Sequence, residues 1–368
     1  MIIRLPAAIA VFTLAACAAS SEGASAPNAP AVTQYDTAEA QRRFDVLAKN
    51  FPALNATVMV GDQIVWEAEG GVARDDRDGV DTDYNIYSIS KMLTGLAFAR
   101  LESEGAVDLD QSVRRIEPRL PAFHEKVTLR QLLGHTAGVR HYRSDKDWIA
   151  FNDMRCDKPQ DALGHFVEDP LDFEPGQKFS YSTFGFTLAS HLLVQITGEA
   201  TYDDAMRAVW GERFVATTDS EDADKAVNYM GEAGAFEEIY LSAECKFGGG
   251  GLIASARDLA AMGSALANGD IVPTDFALEK FTPGKSADGA DTNYVYGMGV
   301  GLAESIDVHY AAHSGGSPGG RGFLMVFLEP KVTVALTSNF DGPHHADLAT
   351  ALGRIFSGFP AEAEESSE

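Results

Sequence analysis

Ser88 and Lys91 stand three residues apart in Tyr87-Ser88-Ile89-Ser90-Lys91-Met92-Leu93, at the opening of what reads as an amphipathic helix. On a helix, residues i and i+3 share one face, so this spacing puts a hydroxyl and an amine within hydrogen-bond reach. A serine hydroxyl is a poor nucleophile until a neighbouring base or cation helps it lose its proton, and a lysine one turn on can do so. The positive end of the helix dipole adds to this, because negative charge would develop beside it. The pair points to attack by Ser88 on a carbonyl, but S-x-x-K is too short a pattern to decide the matter alone.

Four further runs follow it in order. They are Val127 to Gly138, which contains Gly134-His135-Thr136-Ala137-Gly138; Phe173-Glu174-Pro175-Gly176 leading to Tyr181-Ser182-Thr183-Phe184-Gly185; Phe247-Gly248-Gly249-Gly250-Gly251-Leu252; and His313-Ser314-Gly315-Gly316. In type and order these runs, with Ser88-x-x-Lys91, resemble the serine β-lactamase and DD-peptidase superfamily. The likeness is greatest to its class C-like branch of serine hydrolases, which holds esterases and the mitochondrial lactamase-like serine proteases. It spans about residues 40–345. The resemblance implies that Ser88 becomes acylated, with Lys91 as proton partner and Tyr181 relaying a proton between Ser88 and the leaving group. It also implies oxyanion donation by the N–H groups of Ser88 and Gly316, on a strand carrying His313 and Ser314. An ordinary tyrosine has a pKa near 10, so Tyr181 as a base needs a cation such as Lys91 to favour its phenolate. Which of the two is the base stays open.

Two positions depart from the β-lactamase form. Thr183 replaces an asparagine whose amide would hold a substrate side-chain amide. His313 replaces a lysine, and imidazole titrates near 6.5, so its charge is conditional. Both changes weaken the grip on penicillin-like substrates and leave acyl transfer on a peptide or ester intact.

Other suggestive residues read as structural. Gly315-Gly316-Ser317-Pro318-Gly319 satisfies the G-x-S-x-G nucleophile elbow, but Pro318 lacks the N–H that elbow uses as an oxyanion donor, and a strand rather than a helix follows. His344 and His345 beside Asp341 and Asp347 read as a solvated helix start rather than a metal site. His135 reads as a hydrogen-bonding residue behind the site, and Gly248–Gly251 as a close-packed turn. No metal or organic cofactor is expected.

The elements that must position these residues show the period-2 and period-3.6 patterns of a mixed fold. Ala56 to Glu67 reads as a hairpin around Gly61-Asp62. Helices are expected near 128–134, 158–168, 183–196, 201–210 and 256–267, then strands at Val308–Ala312, Gly322–Leu328 and Val332–Ser338, and a closing helix at about 346–357. The expected fold is α/β (α+β), β-lactamase/transpeptidase-like: an antiparallel sheet flanked by helices, built from both chain ends, with an inserted all-helical domain at about 105–290. The hydrolase domain is taken as 37–358.

Outside it, residues 1–16 read as an export signal with an apolar stretch of roughly ten residues, too short to span a bilayer. Leu14-Ala15-Ala16-Cys17 looks like a lipobox, with Cys17 as the lipidated residue, residues 17–36 as a tether and 359–368 as an acidic tail. Ala18 suggests sorting to the outer membrane, so the expected location is the bacterial cell envelope, facing the periplasm. The net charge of −25 repels nucleic acid. Cys156 and Cys245 are either a disulfide closing a loop of roughly 90 residues or two separate buried thiols. The expected activity is a cell-envelope serine hydrolase acting on a peptide or ester, including peptidoglycan stem peptides, with little β-lactamase activity. The rivals are a non-catalytic cell-wall-peptide or penicillin binder, or a filament-forming assembly protein. The oligomeric state is left open.

Overall fold

The computed structural model describes residues 35–72, 79–232, 235–289, 291–292, 294–303 and 308–358. The signal segment, Cys17, most of the tether and the acidic tail lie outside the described residues.

The hairpin read around Gly61 is present. Strands Leu54–Val60 and Gln63–Gly70 pair antiparallel, and Gly61 turns the corner with φ +56°, a conformation glycine adopts without steric cost. The first of these strands pairs antiparallel with Val332–Ser338 near the other end of the chain, Leu54 opposite Ser338 and Val60 opposite Val332. From there the sheet runs outward through Gly320–Phe327, Val308–Ser317, Met298–Ala303 and Tyr294–Val295, giving seven strands in all. Both chain ends therefore build one sheet, as the sequence predicts.

Helices cover both faces. Thr37–Ala48 and His345–Ser357 pack on one side, around a core that includes Phe44, Trp66, Leu336, Leu352 and Phe356. Ile89–Ser103 and Ala256–Ala267 pack on the other. Covered on both sides, Val332–Ser338 is buried along its whole length.

The helix after Ser88 differs from its expected amphipathic form. Every residue from Ile89 to Ala99 is buried, because the helix lies between the sheet and the helix-rich insert and has no wet face. The insert also departs from the all-helical expectation. It holds Thr183–Thr197 and Tyr202–Trp210 near the predicted positions, but also a small sheet in which Leu252–Ala254 lies between Tyr84–Asn85 and Thr217–Thr218. A hairpin, Asn228–Glu232 with Ala235–Ile239, adds two more strands. These pieces are two to five residues long and the hairpin is largely exposed, so they leave no hydrophobic period in the sequence.

Cys156 and Cys245 form a disulfide, with Cα atoms 5.2 Å apart. It ties the segment after helix Asp145–Asn152 to the turn that precedes the glycine run. No helix among the described residues is long and apolar enough to cross a membrane.

Candidate active site

The approach to Ser88 is held under local strain. Tyr87 is buried at φ +44°, a left-handed conformation costly for an aromatic residue. Ile89 N–H bonds back to Ile86 O and Lys91 N–H to Ser88 O, so the helix begins at once. Ser88 itself is half-buried. Strand Val308–Ser317 presses on this turn: a Cβ on Gly315 would stand 2.0 Å from Ile86 O and 3.1 Å from Ser88 N. Only glycine permits so close an approach.

Lys91 is completely buried. Its Nζ lies 3.1 Å from Ser88 Oγ, 3.4 Å from Thr183 Oγ1 and 2.5 Å from Gly249 O. Burial first, and then the positive charge of Lys246, holds its pKa well below the ordinary lysine range. As a neutral amine it has two protons, enough for Gly249 O and Thr183 Oγ1, and a lone pair left to accept the Ser88 hydroxyl.

Tyr181 faces the same serine. Burial pushes its hydroxyl pKa up, and its hydrogen bond with Ser88 offsets only part of that. Lys91 Nζ stands over the Tyr181 ring, 4.8 Å from its centroid. Burial disfavours both the Tyr181 phenolate and the Lys91 ammonium that would have to stabilise it, so this environment favours Lys91 over Tyr181 as the base.

The histidines behind the site are neutral supports. His135 Nδ1 accepts from Ser182 N–H at 3.2 Å, and its ring lies 4.4 Å from that of Tyr181. His141 Nδ1 accepts from Thr183 N–H at 3.2 Å, and burial pushes its pKa down to about 4. Thr183 is thus fixed at both ends, backbone to His141 and side chain to Lys91.

His313 corrects a reading made from sequence. It is buried, and burial followed by the Lys91 charge pushes its pKa to about 3. Its Nδ1 donates to Ser314 O at 2.5 Å, while Nε2 has no partner among the described residues. It cannot act as the conditional cation expected of an exposed imidazole. Ser314 and Gly316 alternate with it on the strand and are exposed.

The cleft has two halves that meet at Ser88, Tyr181 and Gly316. One, of about 300 Å³, is lined also by Tyr142, Trp148, Thr183 and Lys246. The other, of about 450 Å³, is lined by Tyr294, His313, Ser314 and Arg321. A separate hollow between the terminal helices, near Arg42 and Asp347, offers no nucleophile.

The other suggestive residues stand apart from this chemistry. Ser317 ends one strand, pairs with Gly320 across the Pro318-Gly319 turn, and a strand follows. His344 Nδ1 bonds Asp347 at 2.8 Å at the helix start, while His345, expected to be solvated, is buried with Nε2 on Ser338 Oγ at 3.0 Å. Among the described residues no cluster of His, Cys, Asp and Glu is arranged to hold a metal. The glycine run is the close-packed turn expected: a Cβ on Gly248 would lie 2.3 Å from Thr94 Oγ1.

Sequence reasoning missed Lys246, Trp148, His141 and Tyr294. Lys246 had a signal, since it directly precedes the Phe247-Gly248-Gly249 run. The other three sit in loops or on short elements, with no motif to mark them.

The beta-lactamase family model matches residues 36–355. The human mitochondrial serine beta-lactamase-like protein LACTB is 26% identical over 379 residues, covering 76% of this chain and 69% of that protein. Among solved structures, a D-stereospecific amidohydrolase from Streptomyces sp. superposes with a TM-score of 0.71 at 22% identity, covering 88% of this chain and 100% of that one. The octameric penicillin-binding protein homologue from Pyrococcus abyssi gives 0.71 at 21%, covering 88% and 78%. At such identities the structural likeness speaks to the fold. The family match spans the sheet, the insert and the whole cleft around Ser88, and the chain accordingly belongs to the beta-lactamase family of serine hydrolases.

Proposed function

We propose that this protein cleaves a peptide or ester through a Ser88 acyl-enzyme, with Lys91 as the base. The observation that carries the reading is the buried Lys91 amine, 3.1 Å from Ser88 Oγ and held below its ordinary pKa. Ser88 Oγ attacks the carbonyl carbon as its proton passes to Lys91 Nζ. The Tyr181 hydroxyl, kept protonated by burial, donates to the leaving-group atom and is reprotonated from Lys91. The N–H groups of Ser88 and Gly316 are the oxyanion donors in this scheme. Water then attacks the acyl carbonyl as its proton passes to Lys91, and Lys91 returns that proton to Ser88 Oγ as the acid product leaves.

Peptides and simple esters suit the cleft better than β-lactams. Thr183 Oγ1 is already turned to Lys91, and His313 is uncharged, so neither of these two positions supplies the side-chain amide or the fixed cation of the β-lactamase form. Export to the cell envelope through lipidated Cys17 belongs to the same proposal. The Cys156–Cys245 disulfide supports it, since such bridges persist in oxidising compartments.

Intact-protein mass spectrometry tests the reading. A fluorophosphonate should add to wild type and to Ser317→Ala, and not to Ser88→Ala. D-Ala-D-Ala peptides, p-nitrophenyl esters and nitrocefin then rank the substrates. Labelling that survives in Ser88→Ala, or nitrocefin turnover rivalling the best ester or peptide, refutes the scheme or its substrate preference respectively.

A further inference from the structure

Lys246 is the cation of the cleft that lacks a counter-charge. It sits in the turn Glu244–Gly249, directly after the disulfide-bonded Cys245, and is only 6% exposed. Its ammonium makes no hydrogen bond or ion pair among the described residues. The acid that acts on it through space, Asp219, is already engaged by Lys225 Nζ at 2.5 Å, Asn85 Nδ2 at 3.0 Å and Ala243 N–H at 3.0 Å. Around Lys246 Nζ stand the Trp148 ring at 5.8 Å and the Tyr87 ring at 6.0 Å. Aromatic faces attract a cation but do not neutralise it.

The neighbouring basic groups are all accounted for. Lys91 is spent on Ser88, Thr183 and Gly249; Arg321 is held by Asp341 at 2.6 Å; Arg140 is held by Asp147 and Asp169; His141 and His313 are neutral. On a chain of net charge −25, the half-cleft that Lys246 lines has no Asp or Glu in its wall. A buried, unpaired charge is strongly unfavourable by itself, and an anion entering from the cleft would relieve it.

We propose that Lys246 is the substrate-recognition cation of this enzyme, binding a carboxylate that the substrate carries near its scissile carbonyl. The proposal rests on Ser88 acylation as the reaction. It narrows the substrate class to peptides or esters with a free carboxylate. Lys246 lines the same half-cleft as Ser88, and Lys91 is bonded instead to the carbonyl of Gly249. Lys246 is therefore a binding group in this scheme, and Lys91 remains the base.

The test compares matched chromogenic esters on wild type, Lys246→Met and Lys246→Arg. Mono-p-nitrophenyl glutarate against p-nitrophenyl butyrate reports a carboxylate on the acyl side. 3-Acetoxybenzoate against phenyl acetate reports one on the leaving-group side. In Lys246→Met the carboxylate-over-neutral ratio of kcat/KM should fall about ten- to a hundredfold in one of the pairs, the range for losing a charge-assisted hydrogen bond. The loss should lie mainly in KM, and Lys246→Arg should recover part of it. Equal losses on both members of each pair, or no loss, overturns the proposal. If wild type neither hydrolyses an ester nor takes a fluorophosphonate, acylation itself has failed. Binding of glutarate against glutaramide, followed by tryptophan fluorescence, then decides: a preference for glutarate lost in Lys246→Met sustains the cation site, and no preference overturns it.

Discussion

Replacing Lys246 by Met should make the protein more stable at neutral pH. Burial lowers the Lys246 pKa from 10.5 to about 8, with Asp219 offsetting part of the effect. At about 1.36 kcal/mol for each tenfold change in proton affinity, the difference between those values corresponds to about 3 kcal/mol. The sign follows from proton binding: the unfolded chain holds this proton more tightly than the folded one, so stability rises with pH between about 8 and 10.5. Below that window the full penalty is present, and above it the penalty is gone. Methionine fills a similar volume with no charge to desolvate. Lys246→Met should therefore gain about 3 kcal/mol at pH 7 and only about 1 kcal/mol at pH 10. For roughly 320 ordered residues, the pH 7 gain raises Tm by roughly 5 °C. Urea unfolding of both proteins at pH 7 and pH 10, with the disulfide intact and followed by two probes, measures the difference. Other titrating groups are common to both proteins and cancel. A variant that is less stable at pH 7, or a gain equal at the two pH values, would show that Lys246 is not a desolvated cation and would remove the physical basis for assigning it an anion.

Lys91→Met and Tyr181→Phe should each lower ester or peptide kcat by roughly 10²–10⁴, and the wild-type rise of kcat/KM with pH should lie well below the ordinary lysine range. A limb near 10 would contradict Lys91 as a neutral base. His313→Gln should leave the pH dependence of KM for carboxylate esters unchanged between pH 5.5 and 8, because the imidazole, held at about 3, does not titrate there. Cys245→Ser opens a loop spanning 89 residues and should lower unfolding stability by roughly 4–5 kcal/mol; an unchanged urea midpoint would mean the bridge is dispensable.

The long elements were legible because their burial is periodic or continuous. Strand Val332–Ser338 is apolar enough to be read directly, and it is buried along its length. The hairpin at Gly61 announces itself through a glycine whose φ of +56° the turn requires. By contrast, helix Thr37–Ala48 went unread even though an Asp36 cap accepts from Glu39 N–H; its exposed face carries Glu39, Arg42 and Arg43, which dilute the apolar stripe. The strand Met298–Ala303, next to the sheet edge, was missed as well. It alternates glycine with larger residues, and its partner His309 lies several residues beyond, so neither propensity nor spacing marks it. Short pairings such as Thr217 with Ile253 depend on tertiary contact alone.

The candidate catalytic side chains were legible for a different reason: their placement follows from local spacing, and their ionisation states do not. S-x-x-K fixes Lys91 beside Ser88 whatever surrounds the helix. Whether that lysine is a cation or an amine depends on how many other residues bury it and on where Lys246 lies, 155 positions further along the chain. The same dependence reversed the reading of His313. An imidazole on a strand facing a cleft was read as a switchable charge, but Tyr181, Tyr294 and Lys91 pack around it and keep it neutral. A substrate carboxylate must then find its cation elsewhere in the cleft. In the proposed scheme Lys246 supplies one, from a turn that also carries the Cys156–Cys245 bridge and Phe247 at φ +44°. That turn also brings Gly249 O onto Lys91. Base and anion site are thus coupled through one short segment, and each lysine's charge raises the free-energy cost of charging the other, which favours a discharged Lys91 so long as Lys246 keeps its proton.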